Sequence, residues 1–486
     1  MDFASLNFLF IFMPVFFTAY WLLPNHGIRN GLLLAGSAIF LAAGELIYLV
    51  LILALIACNY LIGRQTFRTL DTDKPASRWV GLGVVLNLAV LLSFKFLSTY
   101  STLLLPYLPP NAVPLFDHIP YPLGLSYLSF QFISYLLDIF LKKQPAEKNI
   151  FIFSLYILFF PKIIVGPITR YSELRDQIAQ RVISMDGAAA GLRRFITGLA
   201  KKVLIADQLG RVANAAFGLA SPEFTTGTAW FVLLAYALQL YFDFSGYIDM
   251  ALGLAQCLGF TLPENFNYPY SAKSISEFWR RWHITLARWF RDYVFFPLER
   301  RRLKFVRRQT HQQINTLIVF LLTGLWHGLT LPFIAWGLIH GAAVALEASG
   351  FGRKLKTLPI ALQHAYALTV ILFGWIFFRS PSLPWAVSFV KRLFGLGGVI
   401  QPVSFSLSQP LPFIEPSVIL AFCVGMFFVF PIVPAIRNKV VQTRGESRIA
   451  RFVSLSLNDM ALFALFFACI LVLVGAAYKP GIYAGF

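Results

Sequence analysis

Long apolar runs separated by short polar or basic loops set the pattern of this chain. The runs lie at 6–24, 31–44, 46–62, 79–97, 121–141, 149–167, 188–206, 228–256, 312–327, 331–347, 359–378, 417–435 and 456–477. A spanning helix needs about 20 mostly apolar residues, and several runs are too short or too polar to cross cleanly. The pattern therefore predicts an all-α polytopic membrane protein with about eleven crossings plus re-entrant or interfacial helices. The first run, Leu6 to Pro24, exceeds a signal-peptide core. It also lacks a preceding Lys or Arg and a small-residue cleavage site, so it reads as a retained helix. No internal repeat is visible, which weighs against an inverted-repeat transporter.

Composition agrees. Hydrophobic residues make up 58% and charged residues 13%, against roughly 45–50% and about 25% in soluble domains. A soluble fold has too little interior for that apolar surface, and a disordered chain would not carry 50 Phe. The 41 basic and 22 acidic residues leave a charge of +19, yet no nucleic-acid-binding signature accompanies it. Retention of basic loops on the cytoplasmic side explains most of the excess, and a phosphorylated cytosolic ligand is a source for the rest. The loops 64–78, 142–148 and 436–451 are basic, and Arg300, Arg301, Arg302, Lys304, Arg307 and Arg308 form the densest run. These are expected in the cytoplasm. Segments 98–120 and 393–416 hold no Lys or Arg, which places them, and the C-terminus, on the far side. Cys58, Cys257, Cys423 and Cys469 are isolated and read as small buried hydrophobes.

Residues 274–299 stand apart. Ser274 followed by Glu277 reads as a capped helix start. The helix after it mixes Trp279, Trp282, Trp289 and Phe290 with Arg280, Arg281, Arg288 and Arg291. Four arginines forbid a simple span, so it should lie in the interface or be buried with its arginines turned to water.

Ionisable groups at membrane depth are costly and mark cavities or partner helices. His327 is flanked by Trp326 and Gly328, with Pro332 beyond, in the pattern of a broken helix. A histidine there is able to take a proton from a hydroxyl or thiol near neutral pH, the plainer reading being a bond to a backbone carbonyl. His340 follows thirteen residues later, on a different helical face at about 100° per residue, so no metal pair forms by local geometry. Packing is expected for it. His283, alone on the arginine–tryptophan segment, reads as structural when taken by itself. Gln239 and Asp243 share a helix face, with Asp249 on another. Pairing with an arginine from 280–291 and a proton relay are both open to them. Pro263 to Tyr270, which includes Asn265, is a stiff connector that should position the next helix. P-loop, G-x-G-x-x-G, G-x-S-x-G and H-E-x-x-H motifs are absent, and no metal site is expected.

The segments SYLSFQFISYLLDIF, VGPITRYSEL, QLYFDFSGYIDMALGLA, LPENFNYPYSAKSISEFWRRWHITLARWFRDYVFFPL and TGLWHGLTLPFIAWGLIHG occur in that order. Together they resemble the membrane-bound O-acyltransferase (MBOAT) family, in its bacterial polysaccharide O-acetylation branch. The matching text runs from about Tyr121 to Gly341, with a similar N-terminal start. The resemblance implies one integral membrane domain built around a through-membrane tunnel, with N-terminal helices at 1–110, a catalytic core at 121–347 and C-terminal helices at 359–486. It implies a catalytic role for His327 and, with it, His283. Arg280, Arg281, Arg288, Arg291 and Trp326 become candidates for the donor, although anionic lipid headgroups are as good a partner for any one arginine. Gln239, Asp243 and Asn265 become a supporting polar core.

The implied activity moves acetyl from cytosolic acetyl-CoA, a donor substrate and no resident cofactor, across the inner membrane. The acceptor would be an exported polysaccharide such as alginate, or a periplasmic acetyltransferase that serves it. D-alanyl or other acyl transfer to a cell-envelope polymer is the runner-up, followed by a transporter or a secretion scaffold.

Overall fold

A computed structural model describes residues 1–44, 46–72, 75–104, 121–301, 307–396, 415–432 and 448–475. Every regular element among them is a helix. The basic loop at 436–451, most of the two loops expected on the far side, and the C-terminal tail lie largely or wholly outside the described residues.

The helices divide between two compact units. The first comprises Met1–Phe195 and Ile248–Pro263; the second comprises Ile196–Tyr247 and the described residues from Glu264 onward. In the first unit α1 (Phe8–Leu22), α2 (His26–Ala42), α3 (Leu46–Thr69), α4 (Ala76–Leu104), α5 (Leu125–Phe140), α6 (Ile150–Leu158) and α7 (Tyr171–Ala179) follow in order. Two helices are divided between the units, α8 (Met185–Ala200) and α10 (Thr226–Cys257), with α9 (Asp207–Phe217) between them in sequence. The second unit continues with α11 (Ile275–Arg281), α12 (Ile284–Phe290), α13 (Arg308–His327), α14 (Leu331–Glu347), α15 (Gly350–Thr357), α16 (Ile360–Arg379), α17 (Leu383–Leu393), α18 (Pro416–Phe428) and α19 (Arg448–Gly475).

Five of the described helices are long and apolar enough to span a bilayer, in α3, α4, α10, α16 and α19, and the pair α14–α15, bent by 79°, makes a sixth if counted as one span. The count of about eleven expected from apolar runs is not reached by such helices among the described residues, because many runs are realised in shorter or interrupted pieces. The 149–167 run, for example, is α6 plus a single turn at Phe160–Ile163.

Several polar side chains in the apolar helices are paired. Asn59 on α3 and Asn87 on α4 exchange amide hydrogen bonds, at 2.7 and 3.2 Å, which satisfies both carboxamides where water is scarce. Asp249 takes Arg194 at 2.8 Å in the first unit. In the second unit Asp243 takes Lys202 at 2.8 Å, and Lys202 also reaches Asp207 at 2.6 Å. Pairing is thus realised for both aspartates, with cations of the preceding helical segment. The reason is proximity in the bundle: Gly246 of α10 packs on the backbone of Gly198, with Lys201 Cβ and the Lys202 backbone nitrogen alongside. Cys257 and Cys469 are buried as expected, whereas Cys58 and Cys423 are exposed on their helices.

Helices α13 and α14 form the tightest pair near the site. A Cβ on Gly324 would stand 2.5 Å from the Phe333 carbonyl oxygen, and one on Gly337 would stand 2.4 Å from that of Phe320. Small residues let the two backbones meet. Gly337→Ala is therefore expected to separate them at a cost of about 1–3 kcal/mol, the range of overpacking, read as a lower melting temperature of the purified protein in detergent.

Candidate active site

The connector after α10 is stiffened by Pro263 and Pro269 and tied at both ends. Its Asn267 N–H donates to the Arg281 carbonyl at 2.9 Å, and its Asn265 carbonyl accepts from the Ile284 N–H at 3.0 Å. The Tyr270 hydroxyl donates to the Ala237 carbonyl at 2.8 Å and accepts from the Trp375 indole at 3.0 Å. The segment that follows is not the single helix expected over 274–299. It starts where Ser274 predicts, with the Ser274 hydroxyl accepting from the Glu277 N–H, but it breaks at Trp282–His283. His283 is left-handed, at φ 45° and ψ 52°, a conformation that costs a non-glycine residue about 1–3 kcal/mol unless its surroundings over-determine it. Here they do, through the two backbone bonds to the connector. The tryptophan side of the segment is buried while Arg280 and Arg291 are exposed, the second of the two placements expected.

Asn265 is fully buried, and its side-chain oxygen accepts from the Thr285 N–H and the Thr285 hydroxyl, both at 3.0 Å. A backbone N–H only donates, so this contact fixes which end of the carboxamide is oxygen. The same oxygen lies 3.3 Å from His283 Nδ1. Nδ1 must then carry the ring hydrogen, which leaves the lone pair on Nε2.

The second histidine ends α13. Gly328 is extended and Pro332 opens α14, so the helix break expected from the sequence is present. The His327 ring is half-buried among aromatic rings, with centroids at 4.6 Å to Trp326, 4.9 Å to Phe378 and 5.0 Å to Trp336. His283 packs edge-on against Phe244 at 4.9 Å and stands 6.4 Å from Trp326. Trp326 therefore adjoins both imidazoles and bounds their separation. Trp326, expected near the donor, lines neither cavity and is near both histidines.

His340 behaves as packing, as its sequence context suggests. It is fully buried, accepts from the Trp279 indole at 3.3 Å, and lies so close to α16 that a Cβ on Gly374 would meet it at 2.5 Å. Gln239 is buried one turn before Asp243, whose carboxylate is held by Lys202.

Two contiguous cavities open beside α11. A polar one of about 630 Å³ is lined by Lys273, Glu277, Arg280, Glu347, Arg353 and Lys356, among others. A mostly apolar one of about 740 Å³ is lined by Trp279, Leu286, Phe290, Val319, Phe320 and Val344 together with Arg280, Arg288 and Arg291. Both are within the usual range for ligand sites. Ser276, Arg280, Glu347 and Ala348 belong to both walls. The apolar cavity reaches Ile284, next to His283, and Thr323, one turn before His327. Of the four expected arginines, Arg281 lines neither cavity. It is committed to Glu277 at 2.9 Å and to the Asn267 carbonyl at 3.1 Å. Arg291 lines the apolar cavity but also pairs with Asp292 at 2.8 Å. Partial burial opposes ionisation of Glu277, yet bonds from the Lys273 N–H and Arg281 hold its carboxyl below the usual range. Sequence reasoning missed Glu347, whose two oxygens accept from the Ile275 and Ser276 N–H groups at 2.6 and 2.8 Å. It also missed Arg353 and Lys356, on a short amphipathic helix with no motif to mark it.

A pair of histidines sharing one tryptophan beside a two-part cavity in a membrane helix bundle agrees with the sequence matches. Residues 6–378 match the profile of the MBOAT, membrane-bound O-acyltransferase family. The chain belongs to that family. It is 40% identical over 400 residues to a probable alginate O-acetylase of Azotobacter vinelandii, covering 82% of this chain and 79% of the relative. It is 35% identical to the probable alginate O-acetylase of Pseudomonas putida over the whole of both chains. A peptidoglycan O-acetyltransferase of Helicobacter pylori is 33% identical, covering 81% of this chain and 79% of the relative. This MBOAT protein is a membrane-embedded O-acyltransferase, an enzyme of all-helical fold.

Asn265→Ala is expected to release the His283 ring from its fixed tautomer and to leave the Thr285 N–H unsatisfied. The kcat for acyl transfer should fall at least tenfold, about 1.4 kcal/mol, with little change in donor KM. Steady-state kinetics on the purified variant checks the split.

Proposed function

We propose that this enzyme takes acetyl from acetyl-CoA on the cytoplasmic side of the inner membrane and passes it to a hydroxyl on the other side. The acceptor is an exported polysaccharide of the alginate type or a periplasmic acetyltransferase that serves it. The observation that carries the reading is the apolar cavity, which begins at arginines and reaches Ile284, the residue after His283, and Thr323, one turn before His327. The basic run that includes Arg308 adjoins Gln309 of the polar cavity, so the positive-inside tendency assigns that cavity to the cytoplasm.

A thioester needs little further activation. Transfer requires a positioned hydroxyl, a base for its proton and stabilisation of charge on the carbonyl oxygen. In the proposed step the hydroxyl oxygen attacks the thioester carbonyl carbon while His327 takes the hydroxyl proton. The tetrahedral intermediate collapses, the carbon–sulfur bond breaks, and the imidazolium returns its proton to the thiolate. The products are an ester and free CoA. His283, carrying its lone pair on Nε2, acts as a hydrogen-bond acceptor that orients an N–H or O–H of a substrate. That tautomer is unsuited to donating to an oxyanion, which favours a positioning role for His283 over charge stabilisation. Gln239 and Asp243 support the bundle around the site.

His327→Ala should remain folded and inserted while losing the general-base contribution, about 10²–10⁴-fold. The check is release of free CoA from acetyl-CoA, propionyl-CoA and palmitoyl-CoA by the purified protein, wild type against variant. Near-normal release by the variant would remove His327 from the chemistry. Wild-type release from palmitoyl-CoA alone would replace acetyl with a longer acyl group.

A further inference from the structure

A third cavity, of about 520 Å³, lies in the first unit where α3 ends and α4 begins. Tyr60, Leu61, Arg64, Gln65 and Arg68 of α3 and Trp79 of α4 line it, among others. Tyr60, Arg64 and Arg68 follow one another at four-residue spacing, so they form one stripe along α3. The stripe is held by the 142–148 loop. Arg64 Nη1 donates to the Lys148 carbonyl at 3.4 Å, and the Tyr60 hydroxyl donates to the same oxygen at 2.6 Å. Among the described residues no carboxylate pairs with Arg64 or Arg68, and neither the Arg68 guanidinium nor the Trp79 indole makes a hydrogen bond. The acids on the flanking segments are committed: Asp71 to Lys142 at 2.7 Å, and Glu147 to Tyr171 and to the Lys148 and Asn149 N–H groups. The wall of this cavity therefore presents two cations that the described acids leave uncompensated.

We infer that this cavity binds the headgroup of an anionic phospholipid, with Arg64 and Arg68 on the phosphate and Trp79 at the rim. The inference is independent of the thioester chemistry. Charge fixes the leaflet: segments 64–78 and 142–148 are basic, which assigns this end of the hairpin to the cytoplasmic face, where the lipid surface is anionic. Guanidinium groups suit phosphate oxygens, and the amphipathic rings of Tyr60 and Trp79 suit headgroup depth. Apolar surface continues inward from the cationic stripe. Leu61 lines the cavity one turn deeper than Arg64, and it is 64% exposed. Leu82, one turn deeper than Trp79 on α4, is exposed as well. A lipid thus finds cations for its headgroup and hydrocarbon contact for its chains, whereas a soluble phosphate uses only the first. With two cations facing one phosphodiester, the ammonium of a zwitterionic headgroup is repelled, so a net-anionic lipid is preferred. Bound there, the headgroup links the end of α3 to the start of α4 beside the loop that holds Arg64.

The test counts lipid retained by the full-length protein in native mass spectrometry from detergent, with phosphatidylglycerol and phosphatidylcholine of the same chains offered in turn. Melting temperature with each added lipid is recorded alongside. Wild type should retain phosphatidylglycerol over phosphatidylcholine by about fivefold or more, the scale of one cation at an anionic surface, and should melt higher with it. Arg64→Gln/Arg68→Gln should lose both the preference and the added stability. Arg78→Gln/Lys148→Gln removes two neighbouring charges whose side chains are exposed and do not line the cavity, and it should keep both. A wild type without preference overturns the inference, as does an Arg64→Gln/Arg68→Gln variant that keeps it. Equal loss in the Arg78→Gln/Lys148→Gln control reduces the effect to general surface charge and also overturns it. Excess glycerol 3-phosphate should leave the retained lipid in place; displacement by it makes the cavity a site for soluble phosphates and removes the lipid. Should the double variant fail to fold, Arg68→Gln alone, at an exposed position, decides by the same two readouts.

Discussion

The carboxamide oxygen of Asn265 is the contact on which the site geometry depends. It gathers the Thr285 N–H, the Thr285 hydroxyl and His283 Nδ1 at one buried point. The asparagine backbone holds the Ile284 N–H as well. These bonds, with that of the Asn267 N–H to the Arg281 carbonyl, offset the cost of a left-handed histidine between α11 and α12. The break turns the ring into the bundle toward Phe244 and Trp326 while Arg280, before it, stays at the cavity wall. The connector's backbone thus sets the path of the chain at the break, and the Asn265 side chain sets the tautomer of the ring.

The surrounding bundle obeys the same economy of polar groups. In a medium without water every amide and charge has to find a partner inside the protein. The Asn59–Asn87 exchange, Arg194 with Asp249, and Lys202 with Asp207 and Asp243 meet that demand within each unit. Glycine serves packing at the α13–α14 contact, where it lets backbones touch beside His327. His283 and His327 are thus carried at a helix start and a helix end within a bundle held by such pairs.

Several features were legible in the chain itself. Apolar run length and charge poverty dictate a helical membrane protein, because only helices satisfy their backbone within one segment of this length. The Ser274 cap, the stop at His327–Gly328 and the packing role of His340 follow from local chemistry. Motif order identified the family, which the profile match over residues 6–378 supports. The breaks within apolar runs were poorly legible, since hydropathy registers apolar content and is blind to what splits α6 from the turn at Phe160–Ile163.

What the sequence could not determine is long-range pairing. Asp243 is held by Lys202, Arg281 by Glu277, and α15 brought Arg353 and Lys356 to the cavity that Lys273 also lines. Each of these is a contest among partners of equal chemistry, decided by which backbones the bundle brings within a few ångströms. Periodicity and composition act over a few turns and specify the helices. Only packing, which fixes distances between residues remote in the chain, specifies that Trp326 stands beside both His283 and His327.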